Sequence, residues 1–413
     1  MSTLRIKYQY RVIDQRAGQN QPPLMAVSIH HGVVRRDTLT DDLPRAEDLS
    51  NYKMCEPGDI VLNRMRAFQG AIGISPQRGL VSPDYIVLRP DPDVDSRYLH
   101  HLFRSTWFVG EMVSRLRGIG NTENGAVRTP RINPEDFGNI PVVFPPIDEQ
   151  RRIADFLDAE TARIDRLQYA HDRQLAVLAE LALSRVSAVV PSKSEVAFVR
   201  LGYLAAIQSG ITVDGNRDFG TDAVTMPYLR VANVQNGHVD LSSVSEITIP
   251  RSAAQSATLK RGDVLMTEGG DLDKLGRGTV WLEEIKNCLH QNHVFAVRSD
   301  QRMLVPEYLA LLTRTAYARS YFESTGTKTT NLASTSSSKI RDFKVPLLDV
   351  ADQARISQDI DARLKDIGRL EAALNQQRFL LAERRQALIT AAVTGQMDVT
   401  TARGLGPAGG TAI

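Results

Sequence analysis

Residues 147–180 read IDEQRRIADFLDAETARIDRLQYAHDRQLAVLAE, and this stretch decides the fold because it occurs twice. Residues 350–383 read VADQARISQDIDARLKDIGRLEAALNQQRFLLAE. The two stretches align without a gap, and 13 of the 34 positions are identical. Chance would give only a few identities, so the sequence indicates an internal duplication with a period of about two hundred residues.

Both copies have the pattern of long amphipathic helices. Residues 147–190 contain neither Gly nor Pro, their apolar residues recur every three or four positions, and Pro145, Pro146 and Pro191 bracket them. At about 1.5 Å per residue, such a helix reaches about 66 Å, which is wider than a compact domain. Each helix has one apolar stripe that the other copy can cover, and the connectivity requires the pair to be antiparallel. We therefore expect an antiparallel coiled coil with internal pseudo-two-fold symmetry.

The composition is that of a soluble globular protein. The 413 residues are 42% hydrophobic and 24% charged, with a formal net charge of +2, which excludes a disordered or collagen-like chain. No apolar run is long enough to span a membrane and the first ten residues lack a signal-peptide core, so we expect a cytoplasmic location. Cys55 and Cys288 are the two cysteines, too few and too far apart for a disulfide framework or a Cys-based zinc site.

The segments that precede the two helical stretches are more divergent and strand-rich. Short apolar runs punctuated by Gly and Pro, with one helix-like stretch in each segment (97–116 and 306–321), predict an α+β fold with two globular α/β domains. The expected organisation is a first globular domain at 1–146, a helical region at 147–191, a second globular domain at 192–347, a helical region at 348–397 and a disordered tail at 398–413.

Catalytic motifs are absent from the sequence. It contains no P-loop, no Asn/Asp-Pro-Pro-Tyr/Phe tetrad of an adenine methyltransferase, and no G-x-G-x-x-G after a strand. His290 and His293 lack carboxylate or thiolate company at helical spacing, so we expect no metal site. An autonomous methyltransferase or nuclease would require a hidden catalytic set, and we expect neither catalytic residues nor a cofactor in this chain.

Three stretches combine basic, amide and hydroxyl side chains without any acidic residue. They are residues 60–83, 285–299 and 324–341. Arg, Lys, Asn, Gln, Ser and Thr are the side chains that contact phosphates and read base edges. A solvated loop rich in Ser and Thr is the alternative, but the occurrence of such stretches in both halves favours nucleic-acid binding.

In its repeated organisation, the sequence resembles the DNA-specificity subunit of type I restriction-modification systems. This family is built from two target-recognition domains that alternate with two similar helical regions. The resemblance covers nearly the whole chain. It rests on the motifs PGDIVLNRMRAFQGAIG (57–73), LVSPDYIVLRP (80–90), YLRVANVQNG (228–237), RGDVLMTEGGDLDKLGRG (261–278), CLHQNHVFAVR (288–298) and GTKTTNLASTSSSKIRDFKVPLL (326–348), and on the helix openings PPIDEQRRIADFLD and DVADQARISQDID.

The resemblance implies a non-catalytic subunit that works inside a larger complex. Each recognition domain would read one half of a bipartite site in double-stranded DNA, and the helices would set the spacer and dock two methyltransferase subunits. ATP-dependent restriction subunits would complete the assembly. S-adenosylmethionine, ATP and Mg would then act in the partner subunits, with no cofactor in this chain.

The candidate DNA-binding residues are the polar and basic side chains of these motifs. In the first domain they are Arg64, Arg66, Gln69, Arg78, Ser82 and Tyr85; in the second they are Arg230, Asn233, Lys274, Arg277, Gln291, Asn292, His293, Lys328, Thr330, Asn331 and Lys339. The first domain departs from the second because residues 24–34 lack the counterparts of Arg230 and Asn233. The alternative function is a DNA-binding regulator or a coiled-coil scaffold without a methyltransferase partner.

Overall fold

The computed structural model describes residues 3–19, 22–29, 32–40, 48–116, 130–192, 196–212, 222–270, 275–328 and 333–400. From residue 401 onward, the predicted tail lies outside the described residues. The chain divides into two compact units. Unit 1 is residues 1–171 together with the chain after residue 374, and unit 2 is residues 172–374. Each unit combines helices with sheets, which confirms the predicted mixed α and β fold.

Unit 1 is built on a four-stranded antiparallel sheet. The strands that the structure describes in this unit are β1 (Thr3–Arg5), β2 (Tyr10–Ile13), β3 (Met25–Ser28), β4 (Gly32–Arg35), β5 (Lys53–Cys55), β6 (Ile60–Asn63), β7 (Ile72–Ile74), β8 (Gly79–Val81), β9 (Tyr85–Pro90) and β10 (Pro141–Val143). The sheet order is β2-β9-β6-β7. Ile60 and Leu62 of β6 face one apolar cluster while Val61 faces another, so the sheet is buried on both sides, as its uninterrupted apolar run requires.

The helices of unit 1 cover one face of this sheet. They are α1 (Ser96–Arg104), α2 (Thr106–Val113) and α3 (Pro134–Gly138). The sequence predicts a single helical stretch at 97–116, whereas the structure has two helices. Ser105 separates them because its backbone is extended (φ −65°, ψ 148°) and its hydroxyl accepts a hydrogen bond from the Phe108 amide, which caps α2.

Unit 2 repeats the plan of unit 1. Its described strands are β11 (Phe198–Arg200), β12 (Ala205–Ser209), β13 (Ala223–Leu229), β14 (Ser245–Pro250), β15 (Val264–Thr267), β16 (Gly269–Gly270), β17 (Gly278–Val280), β18 (Leu289–His290), β19 (Val294–Ser299), β20 (Thr327–Lys328), β21 (Ala333–Ser334) and β22 (Lys344–Pro346). Its described helices are α5 (Arg251–Ala257), α6 (Pro306–Thr313), α7 (Ala316–Thr325) and α8 (Ser337–Asp342). The main sheet has the order β12-β19-β15-β17, which matches β2-β9-β6-β7.

Matched details show that the two sheets are equivalent. A buried carboxylate stands just before β6 and just before β15, and each is held by an arginine of the neighbouring strand: Asp59 by Arg89 and Asp263 by Arg298. Thr315 caps α7 as Ser105 caps α2, again inside a stretch predicted as one helix (306–321). The duplication seen in the helices therefore extends to the strand-rich segments.

Two long helices contribute to both units. They are α4 (Ile147–Ser187) and α9 (Val350–Val393). In unit 1, Leu157 near the start of α4 shares a core with Ile389 and Val393 at the end of α9. In unit 2, Val186 at the end of α4 shares a core with Ile360 near the start of α9. Within each unit, the two helix segments are therefore antiparallel. The sequence-based boundaries at 146, 191 and 347 stay predictions, since the compact units divide inside the helices.

Both cysteines are buried free thiols. Burial raises the pKa of Cys288 to about 12 and also raises that of Cys55.

In the part of the chain that the structure describes, no helix has the length and apolarity that a membrane span needs. Among the same residues, no group of three or more His, Cys, Asp or Glu side chains is arranged to hold a metal ion.

Candidate nucleic-acid interface

In each unit, several of the predicted DNA-binding residues that the structure describes lie at the same end of the main sheet. In unit 1, Asn63 at the end of β6 pairs with Tyr85 at the start of β9. In unit 2, Thr267 at the end of β15 pairs with Val294 at the start of β19. We call residues 63–69 and 82–85 the first polar edge, and residues 267–270, 277 and 291–293 the second polar edge. Polar residues follow or precede the apolar strand at these points because the strand leaves the core there.

At the first polar edge, a hydrogen-bonded turn displays basic and amide side chains. The Arg64 Nε donates to the Ile132 carbonyl (3.2 Å), and the Ile132 amide donates back to the Arg64 carbonyl (3.1 Å). Arg66 and Gln69 lie on the short turn that follows and are exposed. Gly70 closes this turn with a φ of 95°, a conformation that favours glycine. The fixed turn therefore presents Arg66 and Gln69 to solvent.

Tyr85 and Ser82 form the other side of the first polar edge. The Asn63 side-chain amide donates to the Tyr85 hydroxyl (3.4 Å), and the Ser82 hydroxyl accepts from the Asp84 amide (3.4 Å). Burial raises the pKa of Tyr85, against the opposing effect of the Arg66 charge. The phenol is therefore neutral at physiological pH and can both donate and accept a hydrogen bond.

Arg78 lies apart from the other candidates of unit 1. It follows β7, whose end Ile74 pairs with Ile60 at the beginning of β6. Its guanidinium forms an ion pair with Glu56 (3.3 Å). Arg78 is thus placed at the opposite end of the β6–β7 pair from Arg64 and Arg66, which the sequence alone did not show.

At the second polar edge, three consecutive candidates connect β18 to β19. The Gln291 amide donates to the Leu229 carbonyl (2.8 Å), and the Asn292 amide donates to the Ile211 carbonyl (3.0 Å). These bonds fix the backbone while the side chains of Gln291 and Asn292 remain partly accessible. His293 contacts the Glu268 carboxylate through its Nδ1. The structure therefore brings Gln291, Asn292 and His293 together on a rigid turn.

Arg230 and Asn233 follow β13 beside this turn and have different environments. The Asn233 side chain is buried: its Oδ1 accepts from the Arg230 amide (2.8 Å) and its Nδ2 donates to the carbonyls of Asp240 (2.8 Å) and Ser243 (3.0 Å). A base contact by this amide would have to replace those bonds. The Arg230 Nε is shielded from solvent and has no hydrogen-bond partner among the described residues.

A three-stranded ribbon of order β16-β21-β20 adjoins the second polar edge. Lys328 lies on β20, and the Lys339 ammonium group donates to the Thr327 hydroxyl (3.1 Å). The Arg277 carbonyl accepts from the Thr267 amide (3.2 Å), which places Arg277 at the same end of β15. Three further candidates, Lys274, Thr330 and Asn331, lie outside the described residues.

Two residues of the polar edges escaped the sequence-based selection. Asn63 supports Tyr85, and Glu268 contacts His293. The search for stretches free of acidic residues could not select Glu268. The signal that identifies it is the duplication, since Glu268 follows β15 as Arg64 follows β6.

The two edges suit polar recognition. They combine cationic groups for phosphates with amides, hydroxyls and an imidazole that can donate to and accept from base edges. Their backbones are fixed by hydrogen bonds from neighbouring segments, so binding would order few side chains.

Comparison with known proteins gives a consistent result. A family model for the type I restriction modification DNA specificity domain matches residues 45–170, which include the first polar edge. The type I restriction enzyme EcoKI specificity subunit of Escherichia coli (strain K12) is 23% identical over 326 residues, covering 75% of this chain and 68% of that protein.

Solved structures share the fold over almost the whole chain. A chain from work on complex assembly and conformational transition of the type I R-M system has a TM-score of 0.72 at 16% identity, covering 96% of this chain and 98% of that chain. The HsdS subunit from Thermoanaerobacter tengcongensis has a TM-score of 0.56 at 18% identity, covering 96% of this chain and 97% of that chain. With the matched domain and the related sequences, these findings support the resemblance carried by the motifs: the chain is similar to the specificity subunits of type I restriction-modification systems and shares their fold.

Proposed function

We propose that this chain is the non-catalytic subunit that selects the DNA sequence for a type I restriction-modification complex. The observation that carries the proposal is the repetition of one polar edge, at the same end of the same sheet, in both units. Each unit reads one half of a bipartite site in double-stranded DNA. The division into recognition domains at 1–146 and 192–347, with helical regions at 147–191 and 348–397, is part of this proposal.

The long helices are proposed to have two tasks. They set the number of unread base pairs between the half-sites, and they dock two methyltransferase subunits. Exposed apolar side chains support the docking role: in unit 1, Tyr169 of α4 and Phe379 of α9 are 66% and 58% exposed. Large apolar side chains in water are typical of a surface that a partner covers.

The remaining chemistry belongs to the partners. Methyl transfer would use S-adenosylmethionine in the methyltransferase subunits, and cleavage would use ATP and Mg in the restriction subunits. The complex would act on DNA in the cytoplasm. This chain contributes recognition, and the proposed contacts are those of the candidate residues at the two edges.

Modification-sensitive sequencing tests the proposal directly. The gene is co-expressed with its methyltransferase subunits in a host that lacks the system, and genomic methyladenine is mapped with and without it. A bipartite methyladenine motif that requires this chain is the expected result. Methylation independent of this chain, or no methylation by an assembled complex, would overturn the proposal.

Domain exchange tests the division of labour. Replacing residues 192–347 by the corresponding domain of another specificity subunit should change one half of the motif and leave the other unchanged. Changes in both halves, or in neither, would contradict this division between the two domains.

Lengthening α4 and α9 by equal steps should lengthen the unread spacer between the half-sites. An unchanged spacer would show that the helices do not determine its length.

Substitutions at the first polar edge test its contact with DNA. Arg66→Ala should weaken binding by the complex about equally for all sequences and reduce the slope of log K against log salt by about 1, if Arg66 meets a phosphate. Arg302→Ala is the matched control, because Arg302 follows the opposite end of β19 and pairs with Asp300. An equal effect of the two substitutions would exclude the first polar edge as the contact.

A further inference from the structure

The two polar edges carry different charged side chains at equivalent positions. Just beyond the last paired residues of the two central strands, unit 1 has Arg64 and Asp84, whereas unit 2 has Glu268 and His293. An acidic side chain thus stands in unit 2 where unit 1 has a basic one. Since DNA phosphates repel a carboxylate, its presence at a DNA-binding edge requires a specific reason.

The backbone of Glu268 is held from two neighbouring segments. Its amide donates to the His293 carbonyl (2.9 Å), and its carbonyl accepts from the Thr335 amide (2.7 Å). The next residue, Gly269, continues into β16 and pairs with Ser334. The position of Glu268 is therefore fixed without any contribution from its side chain.

The Glu268 side chain is oriented by His293. A carboxylate can only accept hydrogen bonds, so the imidazole Nδ1 carries the hydrogen in its contact with Oε2. The Glu268 side chain is 29% exposed and that of His293 is 54% exposed. Among the described residues, no further hydrogen bond engages either side chain. With respect to the part of the chain that the structure describes, a carboxylate oxygen is thus held at the surface with capacity to accept a further hydrogen bond.

A purely structural role explains this pair poorly. A single histidine–carboxylate contact at the surface contributes little to stability, because water competes for both groups and both side chains lose rotational freedom. The backbone bonds already hold the segment. A ligand that donates a hydrogen bond to the Glu268 carboxylate explains its position better than a structural role does.

The donors of duplex DNA in the major groove are the exocyclic amines of cytosine and adenine. A carboxylate accepts from the cytosine N4, whereas adenine also presents an N7 acceptor that a carboxylate cannot satisfy. We infer that Glu268, oriented by His293, is a specificity-determining residue that accepts a hydrogen bond from a cytosine amine in the half-site read by unit 2. This inference rests on the proposed function and adds one base preference to it.

The test is a rate measurement with the assembled methyltransferase complex. First, the wild-type motif is mapped and the half-site of unit 2 is identified by domain exchange. Each cytosine position of that half-site is then replaced by the other three bases in duplex oligonucleotides, and methylation rates are compared for wild type, Glu268→Ala, Glu268→Gln and His293→Ala.

We expect a loss of discrimination at one position only. With Glu268→Ala, the preference for cytosine there should fall at least about fivefold, while the other positions are unchanged. Glu268→Gln should also relax the preference, because an amide both donates and accepts. His293→Ala should cause a smaller loss at the same position. Asp300→Asn, which removes an exposed carboxylate paired with Arg302 beyond the far end of β19, should change nothing.

Failure of this inference is distinguishable from failure of the proposed function. If wild-type complex methylates no bipartite motif, the proposed function fails. If it does, and Glu268→Ala keeps every base preference within twofold of wild type, Glu268 reads no base. A Glu268→Gln chain that no longer folds would also overturn the inference, because that nearly isosteric change would then reveal a structural role.

Discussion

At the residue scale, a buried carboxylate at the start of a central strand organises each unit. Asp263 accepts two hydrogen bonds from the Arg298 guanidinium (2.7 Å each) and one from the Lys260 amide (2.8 Å). Asp59 is held in the same way by Arg89 and the Glu56 amide. Each carboxylate ties the preceding turn to the central strand pair, and so it helps to place the polar edge at the other end of the strand.

We expect Arg298→Met to lower the free energy of unfolding of unit 2 by about 3 kcal/mol, because it leaves the Asp263 charge buried without its cation. Trp281 is fully buried in unit 2, so its fluorescence in a Trp107→Phe background can follow urea unfolding of that unit. Arg302→Met is the control. It disrupts an ion pair whose arginine is 88% exposed, and it should leave the unfolding free energy nearly unchanged, because water screens the pair. Equal losses would show that burial does not determine the strength of the Asp263 pair.

The residue scale is also where sequence patterns were least informative. The absence of acidic residues selected Arg64 and Arg66, which share one edge, but also Arg78, which lies at the other strand end. The family motifs supplied Tyr85, which lies at the same edge as Arg64, but also Asn233, whose amide is bonded inside the domain. Local sequence cannot distinguish these cases, because the direction of a side chain depends on strand pairing with distant residues. Which candidates contact DNA stays a prediction.

At the element scale, one glutamine in each long helix joins that helix to the sheet domain. The Gln353 Oε1 accepts from the Val305 amide (2.9 Å), and its Nε2 donates to the carbonyls of Met303 (2.9 Å) and Leu348 (2.8 Å). Gln150 makes the equivalent bonds to Asp95, Asp93 and Pro145. The aligned repeat shows that this glutamine occurs twice, whereas its bonding partners appear only in the folded chain.

Replacing Gln353 by Ala should lower the free energy of unfolding by about 2 kcal/mol, because three partly buried backbone groups lose their hydrogen-bond partner. Urea titration followed by Trp281 fluorescence measures this loss. Gln358→Ala, at an exposed position of the same helix, should change stability by less than about 0.5 kcal/mol. A similar loss in both variants would mean that helix propensity, and not the side-chain amide, is responsible.

Two arginines at equivalent helix ends are predicted to respond differently to removal. Arg104 ends α1 and its Nη2 donates to the Ile29 carbonyl (3.1 Å). Arg314 follows α6, and its Nε is shielded from solvent without a hydrogen-bond partner among the described residues. Burial lowers the pKa of both guanidinium groups, so both charges are held in an unfavourable environment.

Arg314→Met should leave the unfolding free energy unchanged or raise it by up to about 1 kcal/mol, since it removes a partly buried cation whose Nε lacks a hydrogen-bond partner among the described residues. Arg104→Met should lower it by about 1–2 kcal/mol, because the Ile29 carbonyl loses its donor. Parallel urea unfolding of the two variants, monitored by Trp281 for unit 2 and Trp107 for unit 1, makes the comparison. The reverse order of stabilities would contradict the assignment.

Several strands coincide with apolar runs of the sequence, but the arrangement of the strands could not be predicted. The apolar run at 264–267 forms β15, and the apolar run at 85–88 lies within β9. The apolar run at 228–234 is a strand only as far as Leu229. The Asn233 side chain accepts a hydrogen bond from the Arg230 amide and stabilises a turn there. Sheet order depends on pairing between distant segments, which no local pattern contains.

At the scale of the whole molecule, a largely neutral histidine in each unit makes stability depend on pH. Burial lowers the pKa of His100 in unit 1 to about 3, with His101 and Arg104 adding to the effect. Burial also lowers the pKa of His290 in unit 2. Each histidine binds a proton more readily when the chain is unfolded, so its contribution to stability is complete above about pH 6.5 and is lost as the pH falls toward the folded-state value.

The unfolding free energy should therefore decrease below about pH 6.5, by at most about 1.4 kcal/mol per pH unit for each histidine. His100→Ala should flatten this decrease for unit 1. Alanine suits the site, because the equivalent position of α6 is Ala310. Urea titrations at pH 7.5, 6, 5 and 4, followed by Trp107 fluorescence, measure the slope. An unchanged slope in the variant would exclude His100 as the titrating group.

The division of the chain into units has a consequence for its synthesis. Unit 2 is one continuous stretch, residues 172–374, whereas unit 1 needs the end of α9, where Ile389, Ala392 and Val393 join its core. A ribosome thus releases the first sheet long before the helix that completes it. At about 5–20 residues per second, the roughly 300 residues between the end of β9 and the end of α9 take about 15–60 s. The unit encoded first is therefore the one that finishes folding last, with its apolar helix stripe open to chaperones in the meantime.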